Sequence, residues 1–178
     1  MDVTAFFGVV STIDFALLGL WWVAVQTRPD LRTREFRTGR MAYLVSLQFL
    51  VPGTASLLAQ IDPPFGAVWR VAFTLAGLSG LAAILALVPE LAAAGEPGVA
   101  RLLRWGALPV HVLISIIALF PQIVDSLTTR MDALEVEAVL FCVMVFLGAQ
   151  TAWAAAMQPE QTQPENQPEA LPREVVRP

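Results

Sequence analysis

The sequence predicts an all-α, polytopic integral membrane protein: a bundle of five transmembrane helices with the N-terminus outside and the C-terminus inside. Three observations predict it. The chain of 178 residues is 56 % hydrophobic and only 15 % charged, with a mean hydropathy of +0.64, which is too little polar surface for a soluble domain. Its apolar residues gather into five runs, each long enough to cross a hydrocarbon core of about 30 Å. The connections between those runs alternate between arginine-rich and arginine-poor, as the two faces of a membrane require.

The first span is read at 3–26, VTAFFGVVSTIDFALLGLWWVAVQ. At about 1.5 Å per residue it reaches about 36 Å, enough to cross with some tilt. Asp2 stands where a signal peptide carries basic residues, and the apolar run exceeds an ordinary signal core, so the span is expected to remain in the mature chain. Asp14 falls near the bilayer midplane. A charged aspartate there costs about 2.5 to 3.5 kcal/mol on insertion scales, so it must be neutral, paired, or turned to a polar interior.

The segment 27–40 follows, TRPDLRTREFRTGR, with Arg28, Arg32, Arg34, Arg37 and Arg40 against Asp30 and Glu35. It is the densest basic loop, and it is read as the topogenic, lipid-headgroup-facing segment that stays inside. The second span, 41–61, contains Pro52-Gly53, where the missing proline N–H predicts a kink. The third, 68–88, sets Ala72, Ala76 and Gly80 at four-residue spacing, a small-residue face for close helix approach, and is expected to be the most buried.

A second inner connection, 89–104, breaks at Gly95 and closes with Arg101 and Arg104. The fourth span, 103–122, holds Pro109 and the only histidine, His111; its outer end is acidic, with Asp125, Asp132, Glu135 and Glu137 against Arg130. The fifth span, 135–157, starts beside Glu135 and Glu137. The remainder, 158–178, is rich in proline, glutamine and glutamate and is read as a disordered cytoplasmic tail. Trp21, Trp22, Tyr43, Trp69, Trp105 and Trp153 all fall near span ends, where amphipathic aromatics favour the headgroup level.

The candidate polar site is Asp14, Ser11, Gln48, His111, Ser115 and Gln150. Counted from the inner ends, Gln48, His111 and Gln150 lie about two turns deep and Asp14 somewhat deeper. Ser11 and Asp14 share a face at three-residue spacing, which allows a hydroxyl to donate to the carboxylate. Arg104, His111, Ser115 and Gln122 form one rough stripe, and Gln48, Pro52, Ser56 and Gln60 form another. Two such stripes with a buried acid can line a water-filled path. Glutamine and serine in membrane helices also serve as packing glue, worth about 0.6 kcal/mol per interhelical bond.

Several classes are excluded by what is absent. Cys142 is the only cysteine, so no intrachain disulfide or paired-cysteine motif exists, and a lone histidine argues against a metal site. No nucleophile elbow, HExxH or phosphate loop occurs, and the basic segment lacks the interleaved aromatics of a nucleic-acid surface. The sequence implies no cofactor, no metal and no enzyme. All 11 basic residues are arginine, a bias read as that of a GC-rich, bacterial genome, which places the chain in a bacterial inner membrane. Two functions remain. One is a membrane subunit or scaffold acting by helix packing, its partners the bilayer and another membrane protein or a second copy. The alternative is an oligomeric transporter of protons, cations or small solutes, with Asp14 and His111 as a protonatable relay that titrates as one unit if the two touch.

Overall fold

Residues 2–27, 36–61, 66–93, 95, 97–127 and 130–157 are described by the computed structural model. Arg28, Arg32 and Arg34, the side chain of Arg37, and the tail 158–178 lie outside the described residues. The fold is all-helical, with five helices long and apolar enough to cross a membrane. They are α1 (Val3–Thr27), α2 (Phe36–Leu58), α3 (Ala67–Ala93), α4 (Pro97–Leu119) and, after the short α5 (Gln122–Leu127), α6 (Ala133–Ala156).

Local chemistry explains where each helix starts and stops. Pro52 does not break α2, and α3 runs through Pro89 to Ala93. The predicted 89–104 connection therefore shrinks to a turn at Gly95, whose φ of 90° is a conformation glycine adopts without cost. Pro97 then opens α4, its missing N–H falling where no helical partner exists. Leu103–Ala107 forms one π turn within α4, with the Leu108 N–H donating to the Leu103 carbonyl. Pro109 follows directly, and its lack of an N–H is the local cause of the irregular register.

The fourth span ends at Leu119 rather than at 122, because Pro121 disfavours helical geometry in the residue before it. Phe120 accordingly sits at φ −129°, ψ 65°. The last carbonyls of α4 are met from α3: Arg70 Nε donates to Ala118 O at 2.9 Å and an Arg70 amino group to Leu119 O at 2.8 Å. A guanidinium at a helix C-terminus both satisfies orphan acceptors and complements the dipole. The last helix opens on a capping box. Asp132 accepts from the Glu135 N–H at 2.8 Å, and Glu135 accepts from the Asp132 N–H at 3.3 Å. Such a cap contributes about 1 kcal/mol and sets the start at Ala133, not 135.

The core has two storeys. At the end nearest the arginine segment, Trp21, Val45, Phe49, Ile84, Leu87, Leu91 and Leu103 pack together. At the other end Phe7, Trp69, Phe73, Ile114 and Phe141 do so, with ring centroids 4.5 Å apart for Phe73 and Phe141 and 5.7 Å for Phe7 and Phe141. Phe7 and Phe141 each lie near the start of their helix, while Trp21 and Ala155 share the first storey, so α1 and α6 run parallel.

Two expectations are corrected. The second span is more buried than the third, because α2 is packed by α1, α3 and α6, whereas the main neighbours of α3 are α2 and α4. Trp21 and Trp69 are core residues rather than headgroup anchors, while Trp22, Tyr43, Trp105 and Trp153 are exposed at the bundle surface. Trp21 can be buried because its indole N–H donates to the Ala42 carbonyl at 3.0 Å.

Candidate functional site

The buried stripe of α1, Phe7, Val10, Ser11, Asp14, Trp21 and Val25, follows helical three-, four- and seven-residue spacing and faces the bundle. Asp14 is fully buried in it. It lies against Gly53 of α2: a Cβ on that glycine would sit 3.0 Å from the Asp14 Cβ. Gly53 is thus the notch that admits the acid. Among the described residues neither carboxyl oxygen of Asp14 has a hydrogen-bond partner. The Ser11 hydroxyl does not donate to them. It bonds the Gly8 carbonyl at 3.0 Å, since a short hydroxyl reaches its own helix more easily than a side chain one turn away.

His111 belongs to a different seam. Its Nδ1 donates to the Ala107 carbonyl at 2.7 Å, and the opposite edge of its ring fills the space a Cβ would take on Gly80 of α3. One turn on, Ser115 donates to the His111 carbonyl at 3.1 Å and lies in the corresponding notch at Gly77. The Ala72, Ala76 and Gly80 face of α3 is buried, and its glycine receives the histidine. Asp14 and His111 therefore make no hydrogen bond, because α1 packs chiefly on α2 and α6 while His111 is turned into α3.

Gln48 lies against Gly148 of α6, where an added Cβ would be 3.6 Å from the Gln48 Cβ; its amide nitrogen has no partner. Gln150 is half-buried on α6. Of the stripe Arg104, His111, Ser115 and Gln122, only the middle two are buried. The stripe Gln48, Pro52, Ser56 and Gln60 does turn inward, but Gln60 donates back to the Ser56 carbonyl at 3.0 Å and lies against Gly8. Arg40 of the topogenic set is 4.0 Å from Glu90 across the helix ends, with Arg40 about half exposed, a geometry worth under about 1 kcal/mol.

One residue assigned to the acidic outer rim is not there. Glu137 is fully buried, and among the described residues neither of its carboxyl oxygens has a partner. It leads the inward stripe Glu137, Phe141, Met144, Gly148 and Thr151 of α6. Its sequence signals were the four- and three-residue spacing to those positions and the Asp132-to-Glu135 capping box, which starts the helix early enough to turn Glu137 inward. From the Phe7–Phe141 contact, Asp14 lies two turns along α1 and Glu137 one turn back along α6. The two acids are therefore about 16 Å apart along the bundle.

No family model, curated protein or solved structure matches this chain. The site itself must carry the argument. Among the described residues no three of His, Cys, Asp or Glu gather to hold a metal ion, and Cys142 is exposed on the bundle surface. The arrangement consists of polar side chains packed on glycines of neighbouring helices, and among the described residues the Asp14 and Glu137 carboxyls, the Gln48 amide nitrogen and the Ser56 hydroxyl are buried without a hydrogen-bond partner.

Proposed function

We propose that this five-helix membrane protein acts as a helix-packing subunit or scaffold, whose partner is another membrane protein or a second copy of itself. The observation that carries this reading is the seating of the His111 ring and the Ser115 hydroxyl on Gly80 and Gly77, with the Cβ of Gln48 packed on Gly148 and the Cβ of Asp14 on Gly53. The His111 ring and the Ser115 hydroxyl are taken up in the α3–α4 seam and in bonds to their own helix, and the stems of Gln48 and Asp14 serve as packing surface for neighbouring helices. The hydroxyls of Ser46, Ser115 and Thr151 are likewise turned onto their own backbones. No catalytic motif competes with this, and the basic segment fits a bilayer surface rather than nucleic acid. The arginine bias in composition and connections favours a bacterial cell membrane with the N-terminus outside.

A second reading, oligomeric transport of protons, cations or small solutes, is favoured by one observation: Asp14 and Glu137 are buried without partners, and ionisable groups inside a membrane tend to mark pathways. Native mass spectrometry of the full chain, gently extracted from its own membranes, run beside ion flux in liposomes, separates the two. A discrete complex of fixed stoichiometry with a second membrane polypeptide, or a homo-oligomer without transport, is expected. Ion movement in liposomes by the purified chain, whatever its oligomeric state, would overturn the subunit reading.

A further inference from the structure

Arg70 is an arginine at the end of the bundle opposite the basic segment. It lies one turn into α3 beside the C-terminus of α4, in an open groove of about 360 Å³ lined by Ala67, Val71, Thr74, Leu75, Ala118 and Leu119. That size falls within the range of small-molecule pockets. Apart from Arg70 and the Thr74 hydroxyl, the lining is apolar, and Val71 and Leu75 are strongly exposed on the bundle surface. We propose that this groove is a binding site for an anionic phospholipid, with its phosphate on Arg70 and the upper part of one acyl chain along Val71, Thr74 and Leu75.

Three features support that occupant. Among the described residues the Arg70 charge meets only the backbone carbonyls of Ala118 and Leu119, and no acidic side chain neutralises it. Those two bonds use Nε and one amino nitrogen, which fixes the guanidinium plane and leaves further N–H donors in the fork for a phosphate oxygen. The groove also has the polarity order of a lipid. Its cation lies within a turn of the helix ends, at the level of Gly66 and Phe120, and its apolar walls continue along α3 towards the bundle middle. An aqueous anion would have no use for those walls. This inference does not depend on what partner the protein has.

The test is lipid retention by the full chain in nanodiscs of mixed phosphatidylglycerol and phosphatidylcholine, read by native mass spectrometry after release. The wild-type chain should keep one phosphatidylglycerol in preference to phosphatidylcholine. Arg70→Gln should lower that occupancy about tenfold, the loss of one charged hydrogen-bonded contact. Because Arg70 also caps α4, Thr74→Phe is the second variant: it fills the groove and leaves the Arg70 bonds intact, and it should likewise release the lipid. Equal retention of both lipids by the wild type, or undiminished phosphatidylglycerol on Thr74→Phe, would overturn the site.

Discussion

Gly80→Ala should destabilise the bundle by about 3 kcal/mol, an unusually large effect for one added methyl group. Alanine is the better helix former by about 1 kcal/mol, so propensity alone argues for stabilisation. Packing decides the sign. The new Cβ would fall on Cδ2 and Nε2 of His111, and the ring cannot swing away without breaking its Nδ1 bond to the Ala107 carbonyl at 2.7 Å. His111→Ala empties the notch. In that background Gly80→Ala should cost no more than about 1 kcal/mol, so the cycle should show a coupling of about 2 kcal/mol or more, measured by reversible unfolding in detergent micelles. Additive effects of the two changes would mean that the α3–α4 seam is not built on this contact.

Trp21→Ala should cost about 3 kcal/mol, while Trp22→Ala should cost almost nothing. The two neighbours differ only in which way α1 turns them. Trp21 is buried among Val25, Met41 and Val45 and donates its indole N–H to Ala42 O, whereas Trp22 is exposed on the bundle surface. Lipid tails are as apolar as a protein core, so the expected loss is mainly contacts around the void rather than water transfer. Trp21→Phe, which keeps most of the volume and loses the N–H, should fall near 1 kcal/mol. Equal losses for Trp21→Ala and Trp22→Ala in the same unfolding assay would place Trp21 at the surface with its neighbour.

The five spans were legible because length and hydropathy are summed over twenty or more residues and tolerate local errors. Their ends depend on local chemistry that summed hydropathy does not register, and the expected ends at 122 and 135 fall two or three residues from the observed Leu119 and Ala133. Pro121 stops α4 and the Asp132-to-Glu135 box starts α6, and both signals stand in the sequence. The direction each side chain takes was less accessible, since five apolar helices offer little contrast between lipid-facing and core-facing positions. Depth placed Asp14 and His111 at similar levels, but which neighbour each faces depends on helix order, and α1 and α4 belong to different seams. Glu137 was hidden by its acidic company, because a boundary error of two residues changes a rim residue into a buried one. Arg70 is not distinguished by the hydropathy of its span, although it alone among the described side chains ties α3 to the last carbonyls of α4.

The claim that the buried polar groups serve packing is tested most directly by proton flux in liposomes containing the purified chain under an imposed pH gradient. Asp14→Asn and Glu137→Gln are run alongside, because they keep shape and remove the titratable group at each acid without a partner. The account predicts that wild type and both variants leak no faster than protein-free liposomes. Flux in the wild type that disappears in either variant would contradict it.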